Sequence, residues 1–385
     1  MTKQNGENSN PISILPELNL EQFTFDVPPS LIAQKPLTNR VDSRLLVRNN
    51  DSSLHHSHVK DLPQLLPQGS LLVLNQSAVF PSRIKWQDEK GKNFELFLLA
   101  PPRAGETSKS SLALALGRPM AKIYEKQKVS LQDGMEVVIR SFHQTPFAHL
   151  EIEFMSSPKE VEHWLTSHAL VPLPPYIKRE QALPYLKSPD RLSYQTVYSQ
   201  EQGSVAAPTA GLHFSKELLA ELSKAGIETA YLTLHVGAQT FQPIRVSNIK
   251  DHGMHEEAYK IAKSELFKIL KAKQEGRKII VVGTTSLRTL ESLFILSKEK
   301  SCPIEDLADM WHHTRLFIHP QANLYQPYFG DALMTNFHQS QSTLFVLVCA
   351  LIGIEEAHKL YKTAIEQSYP FHSYGAASLL WLPKV

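Results

Sequence analysis

Three histidines stand where runs of one texture stop, and imidazole is the side chain that titrates nearest to neutral pH. His213 closes the small-residue run Gly203-Ser204-Val205-Ala206-Ala207-Pro208-Thr209-Ala210-Gly211-Leu212, His235 leaves Leu232-Thr233-Leu234, and His338 follows Thr335-Asn336-Phe337. Proton transfer is the chemistry such residues offer. Glycine and alanine let a backbone come close to a bound molecule, which makes Thr209 and Gly211 candidates for substrate contact. A tight strand-to-helix connection with no ligand would read the same way locally.

A second group carries hydroxyls. Gly283-Thr284-Thr285-Ser286 follows the β-branched run Lys278 to Val282 and opens a helical pattern. Its backbone donors and hydroxyls would face a carboxylate or a phosphate. No Gly-Lys-Ser/Thr follows, so it is not a P-loop; a plain helix cap stays open as the alternative. Asn336 and Tyr374 belong to two similar segments, Thr335-Asn336-Phe337-His338 and Phe371-His372-Ser373-Tyr374-Gly375. An aromatic face there can stack on a purine or sit against a cation, while Phe337 and Phe371 as plain core residues are the alternative. Arg83, Lys178, Arg179 and Arg191, with Arg44, are candidates for phosphate contact. Asp251-His252-Gly253-Met254-His255-Glu256 lacks the His-Glu-x-x-His spacing, and no metal is expected.

These residues need a scaffold, and composition bounds it. The 385 residues are 42% hydrophobic and 20% charged with a net charge of +2, an ordinary globular balance with no general polycation for gripping nucleic acid. The two cysteines, Cys302 and Cys349, form no Cys-x-x-Cys motif, so a reducing cytoplasm is the expected setting. The polar N-terminus to Asn19 has no signal-peptide core, and the most apolar run, Leu344 to Ile354, falls short of the ~20 residues that span a bilayer. No membrane association is expected.

Residues 1–22 read as an unstructured lead-in, 23–84 with 155–385 as a main α/β unit, and 85–154 as a small inserted all-β unit, a barrel or sandwich. The insertion shows in the short runs Phe94 to Leu98, Glu136 to Ile139 and His149 to Phe154, parted by turn signals at Lys90-Gly91 and Asp133-Gly134. In the main unit, strands are expected at Leu71 to Asn75, Glu228 to Val236, Lys278 to Val282, Leu316 to Ile318 and Ala332 to Thr335. Helices are expected at Lys216 to Ala225, Ser264 to Gln274, from Ser286 through Leu296, Thr343 to Leu351 and Glu355 to Glu366.

Taken together, the motifs resemble the S-adenosylmethionine:tRNA ribosyltransferase-isomerase (QueA) family of queuosine biosynthesis, from about Phe25 to Leu380. The likeness rests on Leu31-Ile32-Ala33-Gln34 with Arg44-Leu45-Leu46, Asn75 with Val79 and Pro81-Ser82-Arg83, and Pro172-Leu173-Pro174-Pro175-Tyr176-Ile177. It continues through Tyr194-Gln195-Thr196-Val197-Tyr198, Val205 to Phe214, Thr233 to Gly237, Asp251-His252 with Met254-His255, Val282 to Ser286 and Thr335 to His338.

The resemblance implies an α/β domain with an inserted β-barrel-like domain and no metal or prosthetic group. It also implies S-adenosylmethionine as co-substrate and a tRNA anticodon stem-loop carrying 7-aminomethyl-7-deazaguanine as partner. The ribosyl moiety is moved onto that base and isomerised, giving epoxyqueuosine-tRNA, adenine and methionine. A monomer is expected. An aminomethyl group has a pKa of about 10.4, so only about one in two thousand is free base at pH 7, and lowering that pKa by roughly three units takes about 4 kcal/mol. A base must also take a C5′ proton acidified by the sulfonium, and departing adenine needs a proton. His213, His235 and His338 are expected to line the pocket and move these protons, with Gly283 to Ser286 holding the methionine carboxylate or a tRNA phosphate.

Four segments depart from the family pattern. Glutamine replaces glycine at Gln239 and Gln321, Gln339-Ser340 replaces Leu-Pro, and Ala376 replaces aspartate. The glutamines are expected to strain any left-handed backbone there, and Ala376 to remove a carboxylate that could serve as a base, sulfonium partner or helix cap. The alternative this raises is a diverged relative, weakly active or non-catalytic, that binds S-adenosylmethionine or RNA.

Overall fold

The structure is a computed structural model describing residues 17–144 and 148–383. Its centre is a nine-stranded sheet in the order His312–Thr314, Glu257–Lys260, Glu228–Leu234, Leu71–Asn75, Ile279–Val282, Ala332–Asn336, Ala377–Trp381, Arg44–Arg48, Leu54–His58. The run from Glu228–Leu234 to Ala332–Asn336 is parallel throughout. Leu71–Asn75 and Ile279–Val282 are buried at every position, as strands covered on both faces must be. Alternate residues serve different layers. Leu71, Val73, Ile279 and Val281 pack with Leu266, Leu287 and Phe345 on one side, whereas Leu72, Leu74, Ile280 and Val282 pack with Phe214, Leu218 and Leu222 on the other.

Caps and glycines set the helices. Ser215 Oγ accepts from Leu218 N at 3.1 Å and starts the helix Lys216–Lys224, which buries Leu218 and Leu222. Ser342 does the same for Thr343–Ile352 through Phe345 N at 3.2 Å. Gly353, at φ +90°, then turns the chain straight into Ile354–Glu366.

The second sheet is antiparallel, with Arg83–Gln87, Asn93–Leu98, Ser111–Arg118, His149–Phe154, Glu136–His143 and Lys128–Ser130 in that order and the short Arg103–Ala104 paired to Ser111–Arg118. It surrounds its own apolar core of Ile84, Leu96, Val137, Ile139, Leu150 and Phe154. The helix Pro158–His168 covers it, and Trp164 Nε1 donates to Gln132 O at 2.8 Å. This is the barrel-like insertion within an α/β protein.

Two expectations need correcting. No strand forms at Leu316 to Ile318; the edge strand is His312–Thr314. Side chains take the backbone of Leu316 instead, because its N–H donates to Thr314 Oγ1 and its carbonyl accepts from Arg288 Nε. Of the expected lead-in, residues 1–16 lie outside the described residues. Leu18 is already buried in the main core with Phe23, and Leu20 N donates to Ser247 O at 2.8 Å. Apolar burial brings the fold's edge forward to Leu18. Among the described residues no helix is long and apolar enough to cross a membrane.

Candidate functional site

A cleft of about 690 Å³ opens where the neighbouring parallel strands Ile279–Val282 and Ala332–Asn336 end. Ligands in open α/β sheets bind at such carboxyl ends. Three chain segments build its walls: Ala207 to Ala210, Gly283 to Thr285, and Thr335 to Gln339. Tyr176, Val236, Thr240, Ser342, Leu344, His372 and Ser373 complete it. Asn75 ties the segments beneath together. Its amide donates to Leu234 O at 3.0 Å and Thr285 Oγ1 at 3.2 Å, while its oxygen accepts from Ser77 N and Leu234 N.

The three sequence-chosen histidines do not share this cleft. His338 lines it, with Nε2 2.9 Å from Thr335 Oγ1 and its backbone N–H donating to Tyr361 Oη at 3.0 Å. His213 lines a smaller neighbouring cavity of about 300 Å³ with Arg40, Ser193, Tyr374 and Gly375. Asn336 bridges the two, its amide lying 3.1 Å from His213 Nε2. His235 lines neither. Its Nδ1 lies 2.8 Å from Ser77 Oγ, and its ring rests against Trp311 at 4.9 Å. Strand alternation accounts for this: the chain leaves Leu234 and turns His235 away from the cleft while Val236 points into it. Burial lowers the pKa of all three, His213 to about 4 and His338 to about 3, so both are neutral at pH 7.

The hydroxyl group divides as well. Gly283 adopts φ +88°, a left-handed conformation suited to glycine, and begins the helix Thr284–Glu299 with no capping side chain. Thr284 and Thr285, in the first turn of this helix, line the cleft with Gly283. Ser286 is excluded, since it is fully buried and its hydroxyl donates to Val282 O at 2.7 Å. Thr209 lines the cleft but Gly211 does not. A Cβ on Gly211 would stand 2.1 Å from Tyr198 Oη, so this glycine serves close packing. Tyr374 belongs to the smaller cavity, where its hydroxyl donates to Asp190 Oδ1 at 3.2 Å.

His372 is the residue that sequence reasoning passed over. It sits on the cleft wall at φ +70°, its ring 4.4 Å from that of Tyr176, and burial lowers its pKa to about 4. Tyr176 is held by Ser373, whose Oγ lies 2.7 Å from its hydroxyl, and burial raises its pKa to about 12. The turn signal Phe371 to Gly375 and the run Pro174-Pro175-Tyr176 were visible in the sequence, but nothing in them showed that the two segments meet.

The basic residues are dispersed. Arg83 makes two hydrogen bonds to Glu95, at 3.1 and 3.0 Å, and Arg179 makes two to the buried Asp190, at 2.8 and 2.7 Å. Lys178 is exposed, whereas Arg191 is half-buried with Nε unpartnered. Arg44 lies over the ring of Tyr369 at 3.6 Å.

The departures from the family pattern are quieter than expected. Neither Gln239 nor Gln321 is left-handed, so no backbone strain arises at either. Gln339 lines the cleft, and Ser340 Oγ accepts from Phe25 N at 3.0 Å. Ala376 is wholly buried in the apolar core and is not a cleft residue; the methyl group there packs with its neighbours.

Behind Gly237 lies a buried charge pair, Glu257 with Arg288. Burial alone would raise the pKa of Glu257, but Arg288 and His255 outweigh it and hold it at about 2. Its Oε1 accepts from Gly237 N at 3.0 Å, fixing the turn after Val236. Among the described residues no three His, Cys, Asp or Glu side chains are grouped to hold a metal ion.

Comparison with known proteins follows the same outline. The sequence model of a family described as queuosine biosynthesis protein matches residues 20–380. S-adenosylmethionine:tRNA ribosyltransferase-isomerases of Xanthomonas euvesicatoria pv. vesicatoria and Xanthomonas oryzae pv. oryzae are each 37% identical over 364 residues, covering 93% of this chain and 96% of theirs. A crystal structure of an S-adenosylmethionine tRNA ribosyltransferase from Thermotoga maritima is 25% identical, with a TM-score of 0.48, covering 93% of this chain and 99% of that one.

Proposed function

This chain belongs to the queuosine biosynthesis protein family, and from that premise we propose that it is an S-adenosylmethionine:tRNA ribosyltransferase-isomerase. It transfers and isomerises the ribosyl moiety of S-adenosylmethionine onto 7-aminomethyl-7-deazaguanine at the tRNA wobble position. Epoxyqueuosine-tRNA, adenine and methionine are the products. The observation that carries the reading is the cleft at the strand ends, where an uncapped helix N-terminus faces neutral, buried imidazoles.

Each part has a task. The N–H groups of Thr284 and Thr285 take the methionine carboxylate of S-adenosylmethionine, Gly283 leaving room for its approach while its own N–H donates to Met334 O, and Thr209 closes that side. His338 is unprotonated at pH 7 and free to take the C5′ proton. Its surroundings disfavour the imidazolium, so the proton is passed on, which suits a reaction in which departing adenine must be protonated. Asn336 and His213 act together, the amide holding the imidazole in one tautomer. Tyr374 and His213 form the inner wall of the second cavity. His235 stays outside the cleft, packed with Ser77, Trp311 and Gly203.

The tRNA anticodon stem-loop is met by Lys178 and Arg191, and by Arg83 and Arg179 only if their carboxylate partners yield. The antiparallel sheet that begins at Arg83 offers the tRNA further surface. A cytoplasmic monomer fits this task.

The test is direct. The protein is incubated with S-adenosylmethionine, labelled in the ribose, and tRNA bearing the 7-aminomethyl base. Adenine release with label on the tRNA is expected. Binding of both substrates without adenine release would leave a non-catalytic relative instead.

A further inference from the structure

Two polar atoms on the cleft wall have no partner in the protein, Asn336 Oδ1 and His372 Nδ1. Their side chains are deeply buried, the residues being 2% and 8% exposed. Buried polar atoms in native proteins are nearly always bonded, so unpartnered ones in two residues of one cleft wall point to a ligand. The identity of the Asn336 atom follows from its neighbours. The carbonyl of His372 can only accept, so the amide atom 3.1 Å from it is the NH2 nitrogen, and the same nitrogen donates to His213 Nε2 at 3.1 Å. Both hydrogens are then used, and Oδ1 is left purely an acceptor.

His372 is held in place by unusual means. Its backbone is left-handed, which few histidines adopt, and its N–H donates to Phe337 O at 3.0 Å while Gly375 N donates back to its carbonyl at 2.9 Å. Gly375 must be glycine, because a Cβ there would lie 2.4 Å from the Phe371 carbonyl carbon. The outcome is a histidine fixed on the cleft wall beside Asn336, its ring against Tyr176. Strain kept at a ligand wall is a recurrent mark of function. No Asp or Glu lines the cleft among the described residues.

We propose that Asn336 Oδ1 and His372 Nδ1, the imidazole carrying its proton on Nε2, form a paired acceptor for a primary amine in its uncharged form, the aminomethyl group of the RNA nucleobase. This rests on the function proposed above and adds the seat of the nucleophile. Two acceptors match the two N–H bonds of a free amine. An ammonium entering the same place would lose its hydration with no carboxylate to replace it, so the cleft favours the form that can attack. The α-amino group of S-adenosylmethionine shares this chemistry and is the other source of such an amine.

The test measures binding rather than turnover, on the full chain. Anticodon stem-loops carrying either 7-aminomethyl- or 7-methyl-7-deazaguanine are titrated into wild type, His372→Gly and His372→Asn. Glycine accepts the left-handed backbone freely, and asparagine tolerates it while returning an acceptor oxygen. Wild type is expected to prefer the aminomethyl RNA by about tenfold, His372→Gly by no more than about threefold, and His372→Asn to recover the preference. An equal preference in wild type and His372→Gly overturns the proposal. So does a loss of affinity by His372→Gly for S-adenosylmethionine but not for its desamino analogue, which assigns the pair to the other amine. Adenine release by wild type is measured separately; its absence counts against the proposed reaction, whereas the RNA preference reports on the amine seat alone.

Discussion

The imidazole of His235 lies directly on the bare Cα of Gly203, so that a Cβ at that glycine would stand 2.4 Å from two of the ring atoms. The contact fixes the ring against Ser77 and Trp311. Gly203→Ala therefore forces the ring or the strand Glu201–Ser204 to move. A loss of about 1–3 kcal/mol is expected in urea unfolding, as for other overpacked sites. Gly253→Ala is the control: nothing lies within 4 Å of its Cβ position, and its unfolding midpoint should stay within about 0.5 kcal/mol of wild type.

The histidines should separate by experiment as they do in space. His338→Asn removes the imidazole that lines the cleft, and kcat for adenine release should fall by about a hundredfold or more. His235→Asn touches no cleft residue's chemistry, so kcat should stay within about threefold while thermal stability drops. Comparable rate losses in both would mean that the cleft is not where protons move.

Acid should unfold this protein early. His213, His338 and His372 have folded-state pKa values of about 4, 3 and 4, below the usual 6.5. The unfolded chain therefore binds more protons between pH 6.5 and those values, and stability falls as pH falls through that window. Glu257 adds to the loss lower down, because its pKa of about 2 lies beneath its ordinary 4.5; its contribution is complete above 4.5 and disappears as pH drops towards 2. Urea unfolding at pH 7.5, 6 and 5 should show a decline on the order of several kcal/mol. His338→Gln should flatten it. An identical slope in that variant would show that the imidazole is not buried in the neutral form.

Breaking the Glu257 and Arg288 pair on one side is a separate matter. Glu257→Gln leaves the buried guanidinium without its counter-charge, while the amide oxygen that remains can still accept from Gly237 N. A loss of about 3–5 kcal/mol is expected. Arg288→Met with Glu257→Leu, which removes both charges, should recover part of it when measured by the same unfolding assay.

RNA affinity should fall linearly with the logarithm of salt concentration, and the slope counts the phosphates engaged. Lys178→Ala is expected to reduce that slope by about one. Arg83→Ala should leave it unchanged, because Glu95 already holds that guanidinium through two hydrogen bonds. A reduced slope for Arg83→Ala would show that the pair opens on binding.

Much of the architecture was legible because it is local. The strands expected at Leu71 to Asn75 and Lys278 to Val282 form, and the helix expected from Lys216 stops before Gly226. The strand, glycine and helix start around Gly283 could be read for the same reason, since they are consecutive in sequence. The failures are cases in which distant segments decide. Leu316 was expected in a strand until Thr314 and Arg288 took its backbone. His213, His235 and His338 look alike along the chain, and only packing assigns them to three different places. His372 lies in a recognisable turn, but which residue of that turn takes the left-handed conformation depends on how closely Gly375 folds over Phe371.

The strand Ala377–Trp381 lies inside the main sheet, and the hairpin Arg44–Arg48 with Leu54–His58 reaches the other strands only through it. During synthesis, then, this hairpin has no berth until a strand far behind it in the chain arrives. The early hairpin must wait with its edge unpaired for more than three hundred residues, which makes this chain dependent on late closure and exposes it to misassembly until that moment.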